Sequence, residues 1–273
     1  MHQPFILNKP VQIKYPILVS CPHVGTHFPK GLTEKFQTGH VEAPEDTDWH
    51  VHQLYNFSTG LGIPLLRSYY SRYVLDLNRP KTEEKLYQDG RVESGLFPTH
   101  TFSGKALYKN EQQIIGPEDK KDRLHNFYFP YHQQISKILM EMKNEFGVAL
   151  LLEAHSIKSD APFGEEGRLP HLILGNQEGV TCNPSLMGIA KTALEQNELG
   201  FKVVANHPFK GGFLTRKFGR PEASIHALQL EMCQDVYMNE SDNSYSREKA
   251  QKIEGNLILM LENLGRKLLE LGE

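Results

Sequence analysis

The sequence predicts an α/β fold on a largely parallel or mixed sheet, and three observations carry that expectation. Short apolar runs without helical period recur along the chain, and stretches with an amphipathic helical stripe separate them. No Pro/Ser/Gly-rich linker, charge block or repeat divides residues 1–273, so a single domain is expected. Strand-like and helical patterns that alternate are the mark of sheets whose strands are joined by crossover helices. A chain of this length can bury a large core.

The elements follow in order. Ile17–Cys21 is apolar apart from Ser20, as a strand covered on both faces would be. Thr47 or Asp48 can cap a helix carrying Val51, Leu54 and Tyr55 on one face. Strands are expected at Ile63–Leu66 and Tyr73–Leu77. Residues 80–120, rich in Gly, Pro, Thr and charge, read as a long excursion over the active face, because loops of that length are usually functional or mobile. From about Pro130 to Glu145, Ile135, Ile138, Leu139 and Met142 share one stripe, and Gly147 stops the helix. Further strands are expected at Ala149–Leu152, His171–Leu174, Phe201–Ala205 and Ala227–Met232. Asn183-Pro184 is an N-cap and first-turn pair for a helix over Ser185–Asn197, with Gly200 behind it. From Arg247 onward, Ile253, Leu257, Leu261, Leu264, Leu268 and Leu271 form a stripe with too few heptads for a coiled coil, so this helix is expected to dock on the core.

Composition removes several function classes. With 33 acidic and 30 basic residues the chain has no electrostatic footprint for nucleic acid. No apolar run approaches the roughly 20 residues that span a bilayer. The opening Met1-His2-Gln3-Pro4-Phe5 lacks the basic-then-apolar pattern of a secretory signal. Cys21, Cys182 and Cys233 are odd in number and widely spaced without a CxxC pair, which fits a reduced cytoplasmic protein.

Two apolar runs end in histidine: Ile17–Cys21 leads to Pro22-His23, and Val148–Leu152 leads to Glu153-Ala154-His155-Ser156. In open α/β sheets ligands gather beyond the carboxyl ends of strands, so two imidazoles delivered there can share one metal ion. Gly25 permits a tight turn behind His23. Asp46-Thr47-Asp48-Trp49-His50 offers two carboxylates, and Asp48 serves either as a helix cap or as a ligand. Two histidine nitrogens, one carboxylate oxygen and an open position make the usual hydrolytic zinc site. Glu153 points to the same side as His155 if the strand continues, and a charge there is costly unless paired. It can orient the histidine or ligate directly.

Other polar residues sit in regular settings. Asp76 within Tyr73–Leu77 reads as an anchor for neighbouring donors. Asn78-Arg79 follows, with Pro80 keeping Arg79 extended; a guanidinium beside an amide suits a carboxylate, and a surface salt bridge explains the pair equally well. His226–Met232 alternates at period two, with Gln229 and Glu231 opposite Leu228, Leu230 and Met232. Near a metal, Glu231 is a general-base candidate; away from one it is a solvated strand residue. Lys210–Arg216 reads as a turn presenting Arg216 without Walker spacing. HExxH, GxSxG and GxGxxG are missing, and Cys21 inside an apolar run reads as inert packing.

Taken together these segments resemble the N-formylglutamate amidohydrolase family. The stretches that carry the resemblance are Ser20–Gly25, Asp46–Val51, Ser71–Arg79, Ala154–Ser159, Gly167–Pro170, Phe209–Gly212, Thr215-Arg216, Ala227–Glu231 and Tyr237–Glu240, in one order over nearly the whole chain. The resemblance implies a three-layer, zinc-carboxypeptidase-like fold of the phosphorylase/hydrolase type, with a mixed sheet between helical layers. It also implies metal-dependent release of formate from N-formyl-L-glutamate, a late step of histidine degradation. On that reading His23, Asp48 and His155 hold one divalent ion, Zn2+, with Asp46 the stand-in should Asp48 only cap its helix. Glu231 is the base, Arg72, Asn78, Arg79 and Arg216 meet the substrate carboxylates, and Arg216 can also face the oxyanion. The alternatives are a deacylase of another N-formyl or N-acyl amino acid, such as aspartate, and a catalytically silent diacid-binding protein. Two departures stand out. Relatives mostly carry Asp where this chain has Glu153, and they commonly read Asn-Gly-Arg-Phe-Lys-Gly-Gly where it has Asn206-His207-Pro208-Phe209-Lys210-Gly211-Gly212.

Overall fold

The longest apolar runs of the sequence lie side by side at the centre of a seven-stranded mixed sheet. The computed structural model describes residues 3–86, 94–110, 115–160, 167–196 and 200–273. Its strands are β1 (Phe5–Asn8), β2 (Ile17–Cys21), β3 (Leu65–Ser68), β4 (Ala149–Ile157), β5 (Leu172–Gly175), β6 (Val203–Ala205) and β7 (Ile225–Cys233), in spatial order β1-β3-β2-β4-β7-β5-β6. The β2–β3, β2–β4, β4–β7 and β5–β6 pairs are parallel, and β1 and β5 run antiparallel to β3 and β7. The expected α/β class with a mixed sheet is what the chain adopts.

Helices cover both faces, which is why the central strands are apolar on both. On one face, Val19, Leu150, Leu152, Leu228 and Leu230 pack with Leu186 and Ala190 of α5 (Pro184–Glu195) and with Ile253, Leu257 and Leu261 of α7 (Arg247–Gly272). On the other, Leu18, Leu151 and Ala227 pack with Tyr131, Ile135 and Leu139 of α4 (Phe129–Phe146). Gly147 ends α4 at φ 75, where its N–H donates to Lys143 O (2.9 Å), and Asn183 caps α5 by accepting from Ser185 N. Shorter elements are α1 (Thr38–Glu42), α2 (Val51–Leu54), α3 (Pro117–Arg123), α6 (Phe213–Phe218) and a hairpin of β8 (Met238–Asn239) and β9 (Ser244–Tyr245). No described helix is long and apolar enough to cross a membrane.

Four expectations need correction. Residues 73–77 form turns, not a strand: Tyr73 packs with Phe36 and Tyr108, Val74 with Tyr70 and Phe127, and Leu75 and Leu77 with the α4 cluster. Burial from three directions gives that segment a strand's composition without a strand's pairing. The strand expected at 63–66 is β3, two residues later. Neither Thr47 nor Asp48 caps α2, whose N-cap is His50 at φ 62 with no side-chain bond, because the Asp48 carboxylate is drawn to histidines. Gly25 is required by contact rather than by its turn, since a Cβ there would meet the Tyr69–Tyr70 backbone. Within the 80–120 excursion, residues 87–93 and 111–114 lie outside the described residues, as does Asn197 at the expected end of α5.

Candidate active site at the carboxyl ends of the central strands

Three neighbouring strands supply the floor of the site in register. β4 continues past its apolar run, so Glu153 and His155 share one face of the strand. On β7, Gln229 lies beside Glu153 and Glu231 beside His155; on β2, Ser20 lies beside Glu153. His23 follows β2 directly, and its carbonyl accepts from Asp48 N (3.1 Å), which brings the Asp46–His50 segment over the strand ends. Tyr237 Oη donates to Trp49 O (2.7 Å) and lies 2.7 Å from Ser156 Oγ, bracing that segment against the end of β4.

His23, Asp48 and His155 converge with one ligand atom from each within 4.8 Å of the others, the only such cluster among the described residues. All three are buried. Asp48 Oδ2 lies 3.0 Å from His155 Nδ1 and 3.7 Å from His23 Nδ1. The opposite nitrogens are backed by carboxylates: His23 Nε2 lies 2.7 Å from Asp76 Oδ1, and His155 Nε2 lies 3.5 Å from Glu153 Oε2. The Asp76 carboxylate behind His23 fixes the tautomer that leaves its Nδ1 for a metal, and both Nδ1 atoms face Asp48, so the donor set fits a divalent ion. The structure therefore brings Asp48 between the histidines. Asp46 turns aside, where its Oδ2 accepts from Phe102 N (3.0 Å).

The electrostatics are those of a tight acid–histidine cluster. Burial works against ionisation of Asp48, yet hydrogen bonds to His155 and His23 hold its carboxyl well below the usual carboxylate range. Against burial, Asp48 and Glu153 raise His155 to about 10. Burial pushes Glu231 up to about 8, with Asp48 adding to the rise and His155 and Arg72 opposing it. Asp76 is also buried, but Arg72, His23 and Arg79 keep it ionised.

The four candidate substrate contacts divide into two kinds. Arg72 is internal: Nη2 donates to Asp76 Oδ2 (2.7 Å), Nη1 donates to Asp46 O (3.3 Å), and the guanidinium stacks on Phe102. Asn78 is internal too, accepting from Leu214 N at Oδ1 (2.8 Å) with Nδ2 3.3 Å from His155 Nε2. Arg79 and Arg216 are half-buried. Arg79 donates to Ser94 O (2.6 Å), Asn78 O (2.9 Å) and Ser94 Oγ (3.2 Å), and Arg216 donates to Leu86 O (2.7 Å) and Gly211 O (3.4 Å). A cleft lined by Glu45, Asp46, Phe102, Ser156, Lys158 and Gln234 opens beside the cluster.

One residue of the network escaped the sequence reading as a functional group. Gln229 bonds to both Gly212 N and Glu231, and its signal was the period-two spacing that puts it on the face of Glu231. Asp76 read as an anchor, but its donors His23 and Arg72 could not be named without the fold.

A buried acid–histidine cluster at the strand ends of a mixed sheet is the kind of site hydrolases use, and comparison with known proteins makes this chain a hydrolase acting on amide bonds. The family profile described as N-formylglutamate amidohydrolase matches residues 15–238, and the chain belongs to that family. It is 40% identical over 255 residues to an N-formylglutamate deformylase of Pseudomonas aeruginosa, covering 92% of this chain and 93% of that one. With the N-formylglutamate deformylase of Pseudomonas putida it shares 37% identity over 261 residues, 93% of each chain. The fold is also that of a crystal structure of N-formylglutamate amidohydrolase from Ralstonia eutropha JMP134, with a TM-score of 0.81 at 24% identity over 97% of this chain and 99% of that one.

Proposed function

We propose that this chain hydrolyses N-formyl-L-glutamate to formate and L-glutamate with one divalent metal ion, as a single-domain cytoplasmic enzyme at a late step of histidine degradation. The observation that carries the reading is the His23–Asp48–His155 cluster with Glu231 beside it. Two deformylases that align over more than nine-tenths of the chain support the substrate.

His23 and His155 through Nδ1, and Asp48 through its carboxylate, would hold the ion; two nitrogens, one oxygen and an open position favour zinc. Such an ion supplies Lewis-acid activation of water and of the formyl carbonyl when bound. Asp76 holds His23 in the ligating tautomer, and the Glu153 carboxylate lies 3.5 Å from His155 Nε2 as a buried countercharge. Glu231 accepts the proton of the attacking water and returns it to the leaving nitrogen, which departs as the amine of glutamate. The half-buried Arg79 and Arg216 receive the substrate carboxylates as the site's rim, and Arg216 can also face the tetrahedral oxyanion. Arg72 holds Asp76 in place, and Asn78 ties Leu214 N–H to the site, so both already have internal partners.

A panel of N-formyl and N-acyl amino acids tests the substrate. N-formyl-L-glutamate should give the highest kcat/KM. Preference for an acyl aspartate, or diacid binding without turnover of any member, would replace this reading.

A further inference from the structure

The first turn of α6 is tied to the site through two buried side-chain amides. Its N-cap, Gly212, has no side chain to cap with. Instead Gly212 N–H donates to Gln229 Oε1 (2.8 Å) and Leu214 N–H donates to Asn78 Oδ1 (2.8 Å). An amide whose oxygen is committed must turn its nitrogen the other way. Gln229 Nε2 accordingly donates to Glu231 Oε2 (3.4 Å), and Asn78 Nδ2 faces His155 Nε2 (3.3 Å). Gln229 and Asn78 are buried, so neither amide can rotate into solvent for other partners. The fit depends on two glycines. Gly175 lies beside Gln229 in the sheet, and a Cβ on it would meet the Lys210–Gly211 backbone, so its bareness lets the 210–212 segment approach Gln229. A Cβ on Gly212 would collide with the Asn78 amide.

We propose that Gln229 is a positioning residue for Glu231: the Gly212 N–H fixes the amide, and its nitrogen holds Glu231 Oε2 so that the other oxygen is presented as proton acceptor. This rests on Glu231 being the base. Gln229 touches neither the metal cluster nor the rim arginines among its hydrogen-bond partners, so its loss should act on kcat and not on substrate or metal affinity.

The test uses two variants of the full chain. Gln229→Glu keeps an oxygen for Gly212 N–H but places a second oxygen where the donor was. Gln229→Met removes both groups at similar volume. Both should lower kcat about tenfold or more, a part of the roughly 10²–10⁴-fold that a positioned base supplies, while KM and zinc affinity stay within about twofold. Amide exchange at Gly212 should quicken in Gln229→Met and stay slow in Gln229→Glu, a readout independent of substrate. A kcat near wild type in both variants, or kcat, KM and zinc affinity falling together, would overturn the proposal, as would unchanged Gly212 exchange in Gln229→Met. A wild type that prefers another acyl amino acid refutes only the substrate reading, and the comparison is then made on that substrate. A wild type that turns over no acyl amino acid overturns both.

Discussion

The floor of the site and the two arginines proposed as its rim are held by different means. The floor is set by strand register: Ser20, Glu153 and Gln229 form one row across β2, β4 and β7, and His155 and Glu231 the next. Beside that floor the loop carboxylates bond to the histidines, Asp48 to His155 and Asp76 to His23. At the rim, Arg79 and Arg216 bond to the carbonyls of Ser94 and Leu86, in loops, and so follow wherever those loops go. His155, Glu231, Glu153 and Gln229 stand on strands and are positioned tightly, whereas recognition carried by loops varies more freely. The reaction should thus be sensitive to floor substitutions in kcat or metal affinity, and substrate choice to rim substitutions in KM.

Removal of a floor group should give the largest effects. Glu231→Gln should lower kcat by about 10³-fold with zinc still bound, measured by formate release and metal analysis. Asp76→Asn removes the oxygen charge behind His23 Nε2 and should weaken zinc affinity about 10- to 100-fold in a chelator competition. A smaller, rim-type result is expected for Arg79→Gln: KM for the diacid should rise about tenfold, and less for its neutral amide. Equal effects on both substrates would remove Arg79 from carboxylate binding and blur the division between floor and rim.

A pH effect sharpens the contrast further. In the metal-free protein His155 is raised from 6.5 to about 10, so its charge contributes stability fully present below 6.5 and lost as pH rises toward 10. Metal binding at Nδ1 must displace that proton, so calorimetry near pH 8 should record proton release and apparent zinc affinity should rise with pH. Arg79→Gln should leave that dependence unchanged.

How far the sequence was readable follows the same division. His23 and His155 stand at the ends of apolar runs, and a run's end marks where ligands gather, so both were found without a fold. The period-two strand puts Glu231 on the face of Gln229, and the sheet register sets it beside His155. Arg72 is expected at the substrate carboxylates from the family resemblance, and Asn78 from its place beside Arg79. Their partners, Asp76 beside Phe102 for one and Leu214 for the other, come together only when the chain folds. The segment around Asp76 was read as a strand because apolar residues buried from several sides mimic one. Asp48 was ambiguous between cap and cluster because both uses call for a carboxylate before a helix, and only the imidazoles beside it decide.

The most direct test is formate release from N-formyl-L-glutamate before chelation, after chelation, and after zinc is added back. Release that stops with chelation and returns with the ion is the predicted result. Undiminished release from protein shown by metal analysis to be metal-free, or no release at any stage, would contradict it.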